Sequence, residues 1–202
     1  MAFTVILDAC VLYPYLLRDL LIRVTQTGLY RAKWTDKINE EWIENLLQKR
    51  PELSREKLER TAELMHQAVP DSLVEDFEIL MCDLKLPDEN DRHVLAAALK
   101  ARADMIVTYN VKDFPKDYLW DLEIEVQHPD DFLVCQIDLN QGLVLQAIRE
   151  QLADLKKPSL SADEYLLALE KRELTKTAAR LRELNLQQYL MLSISDSDHT
   201  IH

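Results

Sequence analysis

The chain is 202 residues long, with 48% hydrophobic and 30% charged side chains and a net charge of −12. That size predicts one domain, or one domain with an appendage, and enough apolar residues for a real core. The acidity argues against a protein that holds nucleic acid by bulk attraction, and no apolar run approaches the roughly 20 residues that a membrane span needs.

Taken in order, residues 3–7, FTVIL, predict a short strand buried on both faces, as in a parallel sheet. Asp8 follows it directly, and acids at the carboxyl ends of such strands sit where ligands gather. Residues 12–27 read as a helix with Pro14 in its first turn, and 36–49 as a second with Ile38, Trp42, Ile43 and Leu46 inward and Glu41 at the edge of that arc. Ser54 starts a third, surface helix through about His66. Ser72 and Glu75 have capping-box spacing for a fourth through Leu84. Next comes LPDENDRHVLAAALKARADMIVTYNVKDF, Leu86 to Phe114, the stretch around which the chain is organised: a turn, a helix, a buried strand at 105–108 and a polar loop. Residues 123–127, EIEVQ, alternate like an edge strand, and Pro129 with Asp130 starts another helix. From about 138 the pattern is helical only. One stripe runs from Leu143 to Leu155 and stops at Pro158; a capping box at Ser161 and Glu164 opens the next helix, and the last carries Leu174, Ala178, Leu181 and Leu184. The polar tail is expected to be disordered. The predicted division is 1–135, 136–190 for helices and 191–202 for the tail, with a three-layer α/β/α fold around a parallel sheet in the first part.

Several chemistries drop out. With two glycines, Gly28 and Gly142, no glycine-rich phosphate cradle can be written. The five histidines and three cysteines make no zinc-like cluster. Cys10, Cys82 and Cys135 are odd in number and lack CxxC spacing, so they are expected to be buried thiols of a reducing compartment; with no leader in evidence the expected location is cytoplasmic.

What remains is carboxylate chemistry. Residues 71–91 alone carry eight acids against one lysine, and such a cluster repels itself unless cations neutralise it. Asp88 is accounted for as a helix cap. Asp91 lies on the stripe of Val94, Leu95 and Ala98, the inward face, where a carboxylate is costly unless something pairs with it. His93 beside it is expected on the helix surface. Oxygen ligands without His or Cys select hard ions, Mg²⁺ or Mn²⁺.

The segments VILDACVLYP (5–14), KWTDKINEEWIENLL (33–47), LPDENDRHVLAAAL (86–99), IVTYNVKDFP (106–115) and HPDDFL (128–133), in this order, resemble the PIN-domain ribonucleases over roughly residues 1–135. The resemblance implies an acid quartet holding Mg²⁺ or Mn²⁺: Asp8, Glu41, Asp91 and, from the loop after IVT, Asp113. Many relatives place the fourth acid where this chain has Asn110. Thr108 and Asn110, with Asp88, would then orient the acids or a water. The implied activity is endonucleolytic RNA cleavage by a metal-activated water. The implied setting is the toxin half of a VapC-like toxin–antitoxin pair, dimeric and restrained by a small antitoxin protein, with the later helices as an extension. Arg18, Arg23, Arg92 and Lys112 are candidates to guide the RNA. Two alternatives stand beside this. One is a catalytically silent PIN-like module that acts through its C-terminal helices. The other is a phosphoryl-transfer enzyme with Asp8 as nucleophile, although Cys10 occupies the place where a second acid is wanted.

Overall fold

The computed structural model describes residues 2–155 and 159–190. The expected helix stop at Pro158 and the expected tail at 191–202 lie outside the described residues. Two compact units are present, the first ending at Pro129 and the second beginning at Asp130.

The first unit is built on four parallel strands: β1 (Phe3–Leu7), β2 (Tyr30–Lys33), β3 (Met105–Val107) and β4 (Glu125–Gln127), in the spatial order β2-β1-β3-β4. Val5 pairs with Ala32 on one side and Met105 on the other. Val5, Ile6 and Leu7 are fully buried, as a strand covered on both faces requires. The chain turns to opposite sides after β1 and β3, so a crevice opens outside their carboxyl ends. Asp8 and Thr108 are the next residues there. Helices α1 (Ala9–Leu12), α2 (Tyr15–Gln26), α3 (Asp36–Lys49), α4 (Arg55–Ala68), α5 (Arg92–Ala101) and α6 (Lys116–Trp120) cover the sheet, giving the three-layer α/β/α arrangement.

Three expectations are corrected. The helix read over 12–27 is α2, which starts only at Tyr15, because Pro14 takes an extended backbone (φ −75°, ψ 116°) between it and the short α1. The buried guanidinium of Arg18 fills the break, donating to the Leu12 carbonyl at 2.6 Å and lying 4.4 Å from the Trp42 ring centroid. β2 was not expected: YRAK has only two inward residues, Tyr30 and Ala32, too short an alternation to read. Its start is marked instead by Gly28, whose φ of +83° ends α2, and by Thr25, whose hydroxyl donates to the Tyr30 carbonyl (2.8 Å) and accepts from the Ala32 N–H (3.0 Å). The helix expected from Ser72 to Leu84 is absent. Ser72 is fully buried, and its segment makes a strand-like bridge to Trp34, with Trp34 N donating to Ser72 O and Val74 N to Trp34 O. Backbone committed sideways cannot also bond along a helix, so only 3₁₀ turns form, at Pro70–Ser72 and Glu78–Asp83.

The second unit is helical: α7 (Pro129–Leu139), α8 (Gln141–Asp154), α9 (Ala162–Glu170) and α10 (Thr175–Glu183). The capping box at Ser161 and Glu164 forms as read. Leu174 cannot cap α10 with its side chain. Asp130 does so from a distance, its buried carboxylate accepting from Lys176 N, Thr177 N and Thr177 Oγ1 at 2.7–2.9 Å. The Tyr165 hydroxyl donates to Gln151 Oε1 at 2.7 Å, tying α9 to α8.

No helix among the described residues is long and apolar enough to cross a membrane. None of the three cysteines is in a disulfide, but Cys82 and Cys135 are exposed and only Cys10 is partly covered, contrary to the expectation of buried thiols.

Candidate active site

The crevice at the carboxyl ends of β1 and β3 collects most of the acids singled out by sequence. Asp8 ends β1 and is 4% exposed. Its Oδ1 accepts from the Ala9 N–H at 2.6 Å, which opens α1, and its Oδ2 accepts from the Thr108 hydroxyl at 2.7 Å and the Cys10 thiol at 3.1 Å. Cys10 Sγ in turn accepts from the Tyr109 N–H at 3.2 Å. The Asp8 carboxylate is therefore locked between the first turn of a helix and the loop after β3. Burial, and then the charge of Asp8, push the Cys10 thiol well above its usual range.

Asp88 and Asp91 divide their duties. Asp88 is exposed and accepts from the Asn90 N–H at 2.9 Å, the capping role read for it. Asp91 makes no cap hydrogen bond, and its Oδ2 is buried without a partner. Burial raises the Asp91 pKa from 3.8 to about 7, with the neighbouring charges of Asp8, Asp88 and Asp113 adding to the rise and His93 opposing it. Those influences place Asp113, on the 3₁₀ turn Val111–Asp113, within electrostatic reach of Asp91. Asn110 is exposed, and what it contributes is main chain: its N–H donates to Thr108 Oγ1 at 3.0 Å.

Glu41 joins through an intermediary. His93 Nε2 donates to Glu41 Oε1 at 2.8 Å, and His93 is 1% exposed, so the expectation of a surface histidine is overturned. The signal was in the sequence. Residues 93–98 are all buried, and a helix apolar all round is enclosed on all sides, so the polar residue in that run had to be buried too. His93 Nδ1 is buried and unpartnered. Cys10 is the other site residue that sequence reasoning passed over as a participant, and a lone cysteine two residues after an acid gives no periodic signal.

Of the four basic residues considered for RNA, Arg18 is buried and occupied in structure, with burial lowering its pKa to about 10. Arg23 pairs with Asp19 at 2.9 Å and Arg92 with Glu89 at 2.7 Å, while Lys112 is exposed.

These donors suit a hard divalent ion. They are carboxylate oxygens, one of them buried and unsatisfied, where burial and then neighbouring negative charge raise the Asp91 pKa. Among the described residues, no three His, Cys, Asp or Glu side chains are gathered tightly enough to cage an ion by themselves. Mg²⁺ does not need such a cage, because it keeps several waters and is commonly held by one or two carboxylates plus substrate phosphate.

A parallel sheet in this strand order, with acids at the crevice, defines an α/β protein with a carboxylate-lined site at the switch point of its sheet. Residues 4–112, more than half of the chain, match the PIN domain model, and the chain belongs to the PIN-domain family. Residues 129–183 match the VapC50 C-terminal domain. A curated relative, "Putative ribonuclease VapC50" of Mycobacterium tuberculosis (strain ATCC 25618 / H37Rv), is 40% identical over 94 residues, covering 46% of this chain. The match spans 55% of that relative's length. No solved structure matches the chain.

Proposed function

We propose that this protein is a Mg²⁺- or Mn²⁺-dependent endoribonuclease and the toxin of a toxin–antitoxin pair, acting in the cytoplasm as a homodimer restrained by a small protein antitoxin. The observation that carries the reading is Asp91: a half-buried carboxylate whose Oδ2 is enclosed without a hydrogen-bond partner, crowded by Asp8, Asp88 and Asp113, is best explained by a cation. The matches to the PIN domain and to the VapC50 C-terminal domain, and the name of the relative, support the activity and the antitoxin partner.

Asp8, Asp91 and Asp113 would hold the cation, and Glu41 would hold it or a bound water. When bound, such an ion supplies a nucleophilic water at neutral pH and neutralises charge on the phosphodiester. The chain's own residues prepare the site. Thr108 and Cys10 fix the direction of Asp8. His93 holds Glu41 from a buried position, so the glutamate is kept in one orientation. Asp91, protonated up to about pH 7 in the free protein, gives up that proton when a positive charge offsets its neighbours. The nuclease machinery belongs to the first part of the chain, with the later helices as an extension.

The test is RNA cleavage by wild type and Asp8→Asn, with Mn²⁺ and with excess EDTA. The carboxamide oxygen of the variant can still accept from the Ala9 N–H, so it should keep its fold and lose on the order of a thousandfold or more in rate. Undiminished cleavage by the variant, or cleavage in EDTA, overturns the proposal. Titration calorimetry with Mn²⁺ separates it from the silent-module alternative, which predicts no binding at these acids.

A further inference from the structure

At the other end of the sheet, the residues preceding and opening the last two strands line an open groove of roughly 710 Å³. Asp104 immediately precedes β3 and Glu125 opens β4, so this groove lies at the amino ends of strands whose carboxyl ends face the candidate active site. Trp120, the last residue of α6, forms part of its wall and is 83% exposed. Its neighbour Leu119 is buried, so α6 is anchored to the unit while holding the indole out in solvent. Trp34 and Trp42, by contrast, are fully buried.

We propose that this groove docks an extended, arginine-bearing segment of a partner protein, at a surface separate from the acid crevice. Charge selects the occupant. Among the described residues that line the groove, Asp104, Glu123 and Glu125 stand against one cation, Lys116. That balance repels RNA, and it repels a second copy of this chain presenting the same acids. A guanidinium can lie over the Trp120 indole, an attractive arrangement for a cation, while the carboxylates complete its hydrogen bonds. Tryptophan is among the residue types enriched in binding hot spots. The shape of the partner follows from the sheet. β4 is an edge strand, paired with β3 alone among the described residues, and Val126 in its centre lines the groove. An extended segment can run along such an edge, placing alternate side chains toward Trp120 and the acids. The proposal stands apart from the nuclease reading, because it uses none of that site's residues.

The intact protein provides its own probe, since Trp120 is the exposed member of three tryptophans. A short synthetic peptide alternating arginine and valine should protect the fluorescence from acrylamide quenching in a saturable way, and the same peptide with glutamate for arginine should not. With a dye-labelled peptide and anisotropy as readout, Trp120→Ala and the double variant Glu123→Gln/Glu125→Gln should each bind about tenfold more weakly or worse, with unchanged thermal unfolding. Three results overturn the proposal: no saturable arginine-peptide binding, equal binding of the acidic peptide, or stronger protection of Trp120 by a single-stranded RNA oligonucleotide. Protection that grows with protein concentration in the absence of peptide also overturns it, by naming a second copy as the occupant.

Discussion

Asp91 carries a pH signature that can be read without any substrate. Its folded pKa of about 7 stands above its ordinary 3.8, so between those values the folded chain binds a proton that the unfolded chain has released. Stability from this group is full below about pH 4 and is lost as the pH climbs to about 7. In EDTA, thermal unfolding should therefore shift to lower temperature across that window, and Asp91→Asn should flatten the trend. A wild-type midpoint that rises through the same range contradicts the assignment. Addition of Mn²⁺ at about pH 6 should release close to one proton, measurable by calorimetry in buffers of different ionisation enthalpy. His93 makes a second, separable prediction. Removing its buried ring leaves a cavity and frees Glu41, so His93→Ala should lose about 2–4 kcal/mol of stability. His93→Gln keeps an N–H that can reach Glu41. At matched stability it should retain more cleavage activity than His93→Leu; equal activity of the two would assign the histidine to packing alone.

Among the elements, legibility followed length and continuity. FTVIL and MIV, short unbroken apolar runs, could be read as buried strands, and each delivers an acid or hydroxyl to the crevice. The 36–49 helix and the capping box at Ser161 were legible for the same reason: their determinants lie within a few residues of one another. What failed depended on distant partners. Ser72 and Glu75 satisfy a local helix rule that Trp34 overrides through two backbone hydrogen bonds. The cap of α10 is likewise invisible locally, because Asp130 lies 47 residues from the Thr177 it serves. That cap is testable: Asp130→Ala strands main-chain donors and should lower stability by about 2 kcal/mol, whereas Asp131→Ala, at an exposed ion pair, should change it by well under 1 kcal/mol. Equal effects in thermal unfolding would rule out the long-range cap.

For the molecule as a whole, charge would set the terms of RNA encounter under the proposed nuclease function. A net charge of −12 makes the long-range field repulsive to a polyanion, so attraction would have to be local to the crevice and the cation it is proposed to hold. Cleavage by a basic nuclease falls steeply as monovalent salt rises, because counterions compete. Here kcat/KM at fixed Mg²⁺ should stay level or rise as salt is raised from low to moderate, since screening removes repulsion. A steep fall would reveal a basic track that the burial of Arg18 and the pairing of Arg23 and Arg92 argue against.

The wedging of Cys10 between Asp8 and Thr108 has a practical outcome for spectroscopy. Maleimides react with thiolates, and this sulfur is held protonated and partly enclosed, while Cys82 and Cys135 stand in solvent. Dyes or spin labels can therefore be attached to those two sites in the native chain with no cysteine removed. Quantitative labelling of Cys10 in the folded state would in turn signal that β1 and the loop after β3 had parted.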